Sequence, residues 1–169
     1  AGWASGNRYA LMGAVRSVAM LVSYEVPLVM SLAAVLLWAG SMSLVDIVEQ
    51  QPVPLILLQP LGFFVFITAT IAEMNRAPFD LIEAESEIVA GYHTEYSGMK
   101  FGVFQLAEFA SVVVGAGFIT AIFLKGAAGW AFLPSPAWFS LKWLVVIFCI
   151  IWIRATLPRV RVDQVMAFA

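Results

Sequence analysis

The chain has 169 residues, 62% of them hydrophobic and 12% charged, with a formal net charge of −2. Soluble domains carry about 25% charged residues, so this composition excludes an ordinary water-soluble domain and describes a polytopic membrane protein, while the charge gives no basis for nucleic-acid binding. One cysteine and one histidine exclude an internal disulfide, a Cys-rich metal site and any multi-histidine metal, haem or quinone site built from this chain alone.

Four segments are apolar over the length a bilayer requires, about 20 residues. They run over about 17–39, 54–72, 101–124 and 136–153. The expected fold is an all-α transmembrane bundle of about four spans, a single membrane domain over 1–169. Gly40-Ser41-Met42-Ser43 ends the first span, and Pro52 and Pro54 introduce the second, since a proline in the first turn has no hydrogen bond to lose. Pro27 follows Glu25 in the first span and cannot donate to the Ser23 carbonyl, which predicts a kink there. Gly126, Gly129, Pro134 and Pro136 make the third connection a short surface loop. Cys149 lies in an apolar run and reads as a small buried hydrophobe. The chain opens without Met and closes on Val165-Met166-Ala167-Phe168-Ala169, like the start of another apolar helix. A fragment of a longer protein is expected.

Between the second and third spans lies a polar connection over 73–100. It holds Glu73, Asp80, Glu83, Glu85, Glu87 and Glu95, opposed only by Arg76 and Lys100. Loops beyond about 12–15 residues are usually functional or disordered. Here Phe79, Leu81, Ile82, Ile88, Val89, Tyr92 and Tyr96 punctuate the acids, which is enough apolar surface to bury a face. The expectation is a folded acidic loop. Glu83 and Glu87 share a face if the segment is helical. Acids this close without matching bases favour a shared proton. The ligand spacing of a Ca²⁺ loop is absent, and no metal site is expected. His93 reads as a loop hydrogen-bonder.

Four spans put both termini and the acidic loop on one side. That side carries Arg8, Arg16, Arg76, Lys100, Arg154, Arg159 and Arg161, against Lys125 and Lys142 opposite. The excess marks it as the cytoplasmic or matrix side, because the rule counts Lys and Arg rather than net charge. Trp38, Trp130, Trp138 and Trp143 fall near the outer ends, where amphipathic rings prefer to sit.

Two carboxylates lie inside spans, Glu25 in the first and Glu108 in the third. With helix starts at about 17 and 101, both stand roughly 10–12 Å from the inner end. A charge at the bilayer centre costs on the order of 2.5–3.5 kcal/mol on insertion scales, so intramembrane acids face wet interiors and carry protons. A structural reading also exists, in which each acid only hydrogen-bonds to a neighbouring helix. Arg154 is close enough to the fourth span to pair with a buried acid or touch a polar ligand, and its neighbours anchor the helix by snorkelling. No nucleophile–base pattern, phosphate loop or dinucleotide fingerprint is present.

The run Glu73-Met-Asn-Arg-Ala-Pro-Phe-Asp-Leu, then Glu83-Ala-Glu-Ser-Glu-Ile-Val-Ala-Gly and Glu95-Tyr-Ser-Gly-Met-Lys-Phe, resembles the quinone-site membrane subunit of respiratory complex I, the NADH:quinone oxidoreductase. Gly2-Trp-Ala-Ser, Ser23-Tyr-Glu, Leu106-Ala-Glu, Trp152-Ile-Arg and Pro158-Arg match as well. The resemblance covers essentially the whole chain and the middle and later part of the family's subunit. It implies a membrane subunit that forms part of the quinone-access cavity and couples quinone reduction to proton translocation. Glu25, Glu73, Glu83, Glu85, Glu87 and Glu108 are then the proton relay. Arg76, Phe79 and Asp80 order the loop beside the cavity, and Arg154 and Arg159 lie near its membrane side. The resemblance further implies quinone as substrate, no redox cofactor on this chain, and flavin and iron–sulfur clusters on partner subunits. Partners are the peripheral quinone-site subunits, small membrane-arm subunits and lipid, in a bacterial plasma membrane or mitochondrial inner membrane. Ala77 and Ile82-Glu83-Ala84 depart mildly from the family pattern and bear on loop rigidity. The equivalent subunit of an ion-pumping hydrogenase or ferredoxin-driven complex is an alternative, as are a stand-alone proton carrier and a structural anchor. A carrier would usually show repeated halves with broken helices, which this sequence lacks.

Overall fold

The computed structural model describes residues 1–74, 79, 95–129 and 134–158. Among the described residues all regular structure is helical, with α1 over Arg8–Ala39, α2 over Leu44–Gln50, α3 over Leu55–Leu58, α4 over Pro60–Glu73, α5 over Met99–Phe123 and α6 over Ser135–Thr156. The helices α1, α5 and α6, of 32, 25 and 22 residues, are long and apolar enough to cross a membrane. α4 is apolar but has 14 residues, about 21 Å of helix against a hydrocarbon core of about 30 Å.

The segment expected as one span over 54–72 is cut in two. Pro60 has no N–H to continue the ladder of α3. Gln59 absorbs the break at φ −131, ψ 64, and Pro60 then opens α4 at its first position, where its fixed φ suits a helix start. The first span differs at its beginning. Asn7 is extended (φ −97, ψ 136), and its side chain accepts the Tyr9 N–H. That cap starts the helix at Arg8, so Arg8 and Arg16 belong to α1 and Glu25 falls near its midpoint. α1 continues on both sides of Pro27. It stops at Gly40, which adopts a left-handed φ of 64 and returns its N–H to the Leu36 carbonyl at 2.8 Å.

α2 was not expected. Its cap is written in Ser43 and Asp46: the Ser43 hydroxyl accepts the Asp46 N–H at 3.4 Å, and the Ser41 hydroxyl donates to Asp46 Oδ2 at 2.8 Å. A serine followed three residues later by an acid is the local signal.

Contacts pair α1 with α4 and α5 with α6, while α4 and α5 touch more sparingly. One core cluster joins Val35, Ile47, Leu55, Phe66, Ile119, Phe123 and Val146 from all six helices. A smaller one, nearer the acidic segment, joins Met20, Tyr24, Ile71, Ala72 and Phe79. Phe123 anchors the larger, with the rings of Phe63 and Phe66 at 5.3 and 5.2 Å, a favoured spacing for tilted aromatic pairs. Where α4 meets α5, Gly115 allows the approach, since a Cβ there would collide with Met74 Cε and come within 3.0 Å of Thr70 Cγ2.

The expectation of a buried Cys149 is corrected: it is exposed on α6. α6 packs mainly on α5, so its other faces, with Leu144, Phe148 and Trp152, are left uncovered. An apolar residue on such a helix is solvated by lipid or a neighbour rather than by this chain's core.

At the end of the bundle away from the acidic segment, side chains tie down the C-terminus of α5. Gln51, 1% exposed, donates from Nε2 to the Ile122 carbonyl at 2.7 Å. The Lys142 ammonium donates to the carbonyls of Leu124 at 2.8 Å, Gly126 at 3.1 Å and Ala128. The Ile122 and Leu124 carbonyls are ones a helix end leaves without an internal partner, and those of Gly126 and Ala128 belong to the loop that follows α5.

Candidate functional site

A cavity of about 700 Å³ opens between α1, α2, α4 and α5. It exists because α1 and α5 pack on different partners and stand apart. Its wall is leucine-rich on α1, through Leu21, Leu28, Leu32 and Leu36, with Phe118 and Ile122 facing from α5. Three polar side chains interrupt this surface, Thr70 and Glu73 on α4 and Ser111 on α5. The Thr70 hydroxyl is spent within its helix, on the Phe66 carbonyl at 2.7 Å. Ser111 lies one turn beyond Glu108 and donates to the Glu108 backbone carbonyl at 2.7 Å. Glu73, the last residue of α4, is therefore the charged group of this wall among the described residues.

The other candidates fall around this cavity in different ways. Glu25 is exposed on α1, and Glu108 is half-buried on α5 with its Oε2 shielded from solvent. The helices that carry them form opposite walls, with Glu73 on the helix between. Phe79 is buried, and its ring lies 5.5 Å from that of Tyr24 at 54°. The contact holds Phe79 against α1 through Tyr24, the residue before Glu25. Arg154 is exposed in the last turn of α6, where a cation complements the helix dipole. Arg76, Asp80, Glu83, Glu85, Glu87 and Arg159, with His93, lie outside the described residues.

Sequence reasoning missed Ser111, whose signal was its place one turn after an intramembrane acid. It also missed Asn7, which reads as a simple helix cap.

Comparison with known proteins gives a match over residues 1–169 to the family model described as NADH dehydrogenase. The chain belongs to this family. It is 58% identical over 168 residues to the H subunit of the NADH-quinone oxidoreductase of Dehalococcoides mccartyi (strain CBDB1), covering 99% of this chain and 47% of that protein. The corresponding protein of Geobacillus kaustophilus (strain HTA426) is 54% identical over 172 residues, covering 99% and 52%. That of Bacillus cereus (strain B4264) is 49% identical over 174 residues, covering 99% and 51%. The chain thus spans about half the length of these relatives. Family membership agrees with the resemblance read from the acidic motif, and the apolar helices make it a membrane component.

Proposed function

We propose that the chain is part of a membrane subunit of a proton-translocating NADH:quinone oxidoreductase, and that it couples quinone reduction to proton movement. The observation that carries this reading is the match over the chain's whole length to relatives that are H subunits of NADH-quinone oxidoreductases. The cavity supports it. Its leucine wall suits an apolar chain such as a quinone tail, and Glu73 at its edge sits between the helices of Glu25 and Glu108. Polar partners for the quinone headgroup come from a neighbouring subunit, and flavin and iron–sulfur chemistry reside on partner subunits.

In this reading, reduction of the quinone changes the charge beside the acidic segment. Glu83, Glu85 and Glu87 take up protons with Glu73, and Glu108 and Glu25 pass the effect into the membrane arm. A carboxylate suits this task because a positioned carboxyl group can both accept and return a proton. Arg76, Phe79 and Asp80 hold the segment in place, with Arg154 and Arg159 near the membrane side of the cavity. The acidic segment and both ends of the chain face the cytoplasm or matrix.

Extraction of the full-length subunit from its native membrane in mild detergent tests the assignment. The expected result is a large assembly with flavin and iron–sulfur subunits and inhibitor-sensitive quinone reduction. Copurification with a nickel–iron hydrogenase, or a subunit that runs alone and conducts protons in liposomes, would contradict it.

A further inference from the structure

The two helices that carry Glu25 and Glu108 stand apart across the cavity, yet they are joined at the end where the acidic segment returns to the bundle. Three contacts make the junction. The Asn7 Nδ2 donates to Glu95 Oε1 at 3.0 Å, across 88 positions of sequence. The Tyr96 hydroxyl donates to the Ala1 carbonyl at 3.5 Å. The Tyr96 ring lies edge-on to Phe104 of α5, with centroids 5.1 Å apart at 76°.

The segment before α1 is itself fixed. Ser5 donates to the Ala1 carbonyl through its N–H at 3.2 Å and its hydroxyl at 2.9 Å. Gly2 is buried on α1 so closely that a Cβ would lie 2.5 Å from the Ala10 carbonyl oxygen. Residues 1–7 therefore move with α1, and Glu95 and Tyr96 hold to that unit on one side and to α5 on the other.

Asn7 uses both ends of its amide here. Its Oδ1 accepts the Tyr9 N–H at 3.1 Å, and a backbone N–H can only donate, so the nitrogen must face Glu95. A neutral donor on a carboxylate makes a charge-assisted bond. Serine or aspartate would cap α1 as well as asparagine does. Neither offers a cap acceptor and a donor at this reach together.

We propose that Asn7 is a positioning residue that latches the exit of the acidic segment, through Glu95, onto the first turn of α1. The latch keeps α1 and α5 in register, so that a displacement of the acidic segment reaches both. This rests on the coupling function proposed above. It gives Glu95 a part that depends on accepting a hydrogen bond and not on carrying a proton.

The test uses the complete oxidoreductase assembly carrying Asn7→Asp, Glu95→Gln or both. Asn7→Asp keeps the cap and sets two carboxylates against each other. Glu95→Gln keeps the acceptor. The pair restores the bond with its direction reversed, the introduced glutamine amide donating to the introduced carboxylate. Two quantities are read, namely amide hydrogen exchange over residues 95–98 and protons moved per quinone reduced. Asn7→Asp should speed exchange there and lose proton movement, Glu95→Gln should match the native assembly, and the double variant should recover both readouts. An Asn7→Asp assembly indistinguishable from native overturns the latch. So does a Glu95→Gln assembly as impaired as Asn7→Asp, or a double variant that recovers neither readout. If Asn7→Asp fails to assemble, Asn7→Ser, which caps α1 but is too short to reach Glu95, takes its place with the same expectations. A native assembly that reduces quinone without moving protons refutes the coupling function instead, and the exchange readout still decides the latch.

Discussion

Lys142 shows what a single polar side chain does in a bundle this apolar. Its ammonium has three protons, and the carbonyls of Leu124, Gly126 and Ala128 take all three. The group that looked in sequence like an outer-face positive charge thus gathers the C-terminal cap of α5 and the loop after it. Lys142→Met removes the donors and leaves the carbonyls, with an expected loss of about 1–2 kcal/mol, read as a lower unfolding temperature of the purified assembly. Lys142→Arg should recover part of it, because the guanidinium still donates but cannot place three bonds on so tight a triangle. Gly115 is the complementary case, in which absence of a side chain matters. Gly115→Ala pushes the flexible Met74 thioether toward the cavity that both residues line and sets its Cβ 3.0 Å from Thr70 Cγ2, a contact that a small shift of α4 against α5 can relieve. Gly115→Val adds two methyl groups to a site where the Cβ is already tight against Thr70 and should cost about 1–3 kcal/mol, so thermal stability should fall in the order Gly, Ala, Val.

At the scale of elements, the long apolar helices were legible because 20 consecutive apolar residues have few alternatives. Their ends were not, since a helix runs on past its apolar stretch wherever a cap supplies the first turn. Asn7 did this for α1, which carried Arg8 and Arg16 into the helix and moved Glu25 to its midpoint. Pro60 was visible in the sequence, but whether an internal proline kinks a helix or divides it depends on the residue before it. Gln59 left the helical region here, and α3 and α4 separated. α2 escaped notice because seven residues are too few to show periodicity, although Ser43 and Asp46 wrote its cap.

At the scale of the molecule, the acidic motif over 73–100 was enough to place the chain in its family, whereas the cavity was not readable from it. The cavity arises from pairing, α1 with α4 and α5 with α6, and sequence periodicity does not say which helices pair. The same pairing puts Glu73 in the cavity wall, on the helix between those of Glu25 and Glu108, while neither of these two acids lines the cavity itself. Phe79 is held to α1 through Tyr24, and Glu95 through Asn7. The decisive measurement is proton translocation per quinone reduced, for the whole assembly in sealed liposomes, with Glu25→Gln, Glu73→Gln and Glu108→Gln introduced singly. A glutamine keeps the size and polarity of each side chain and removes its proton. Each variant is predicted to assemble and to lose proton translocation; quinone reduction and proton movement both at native levels in all three would contradict a relay through these acids.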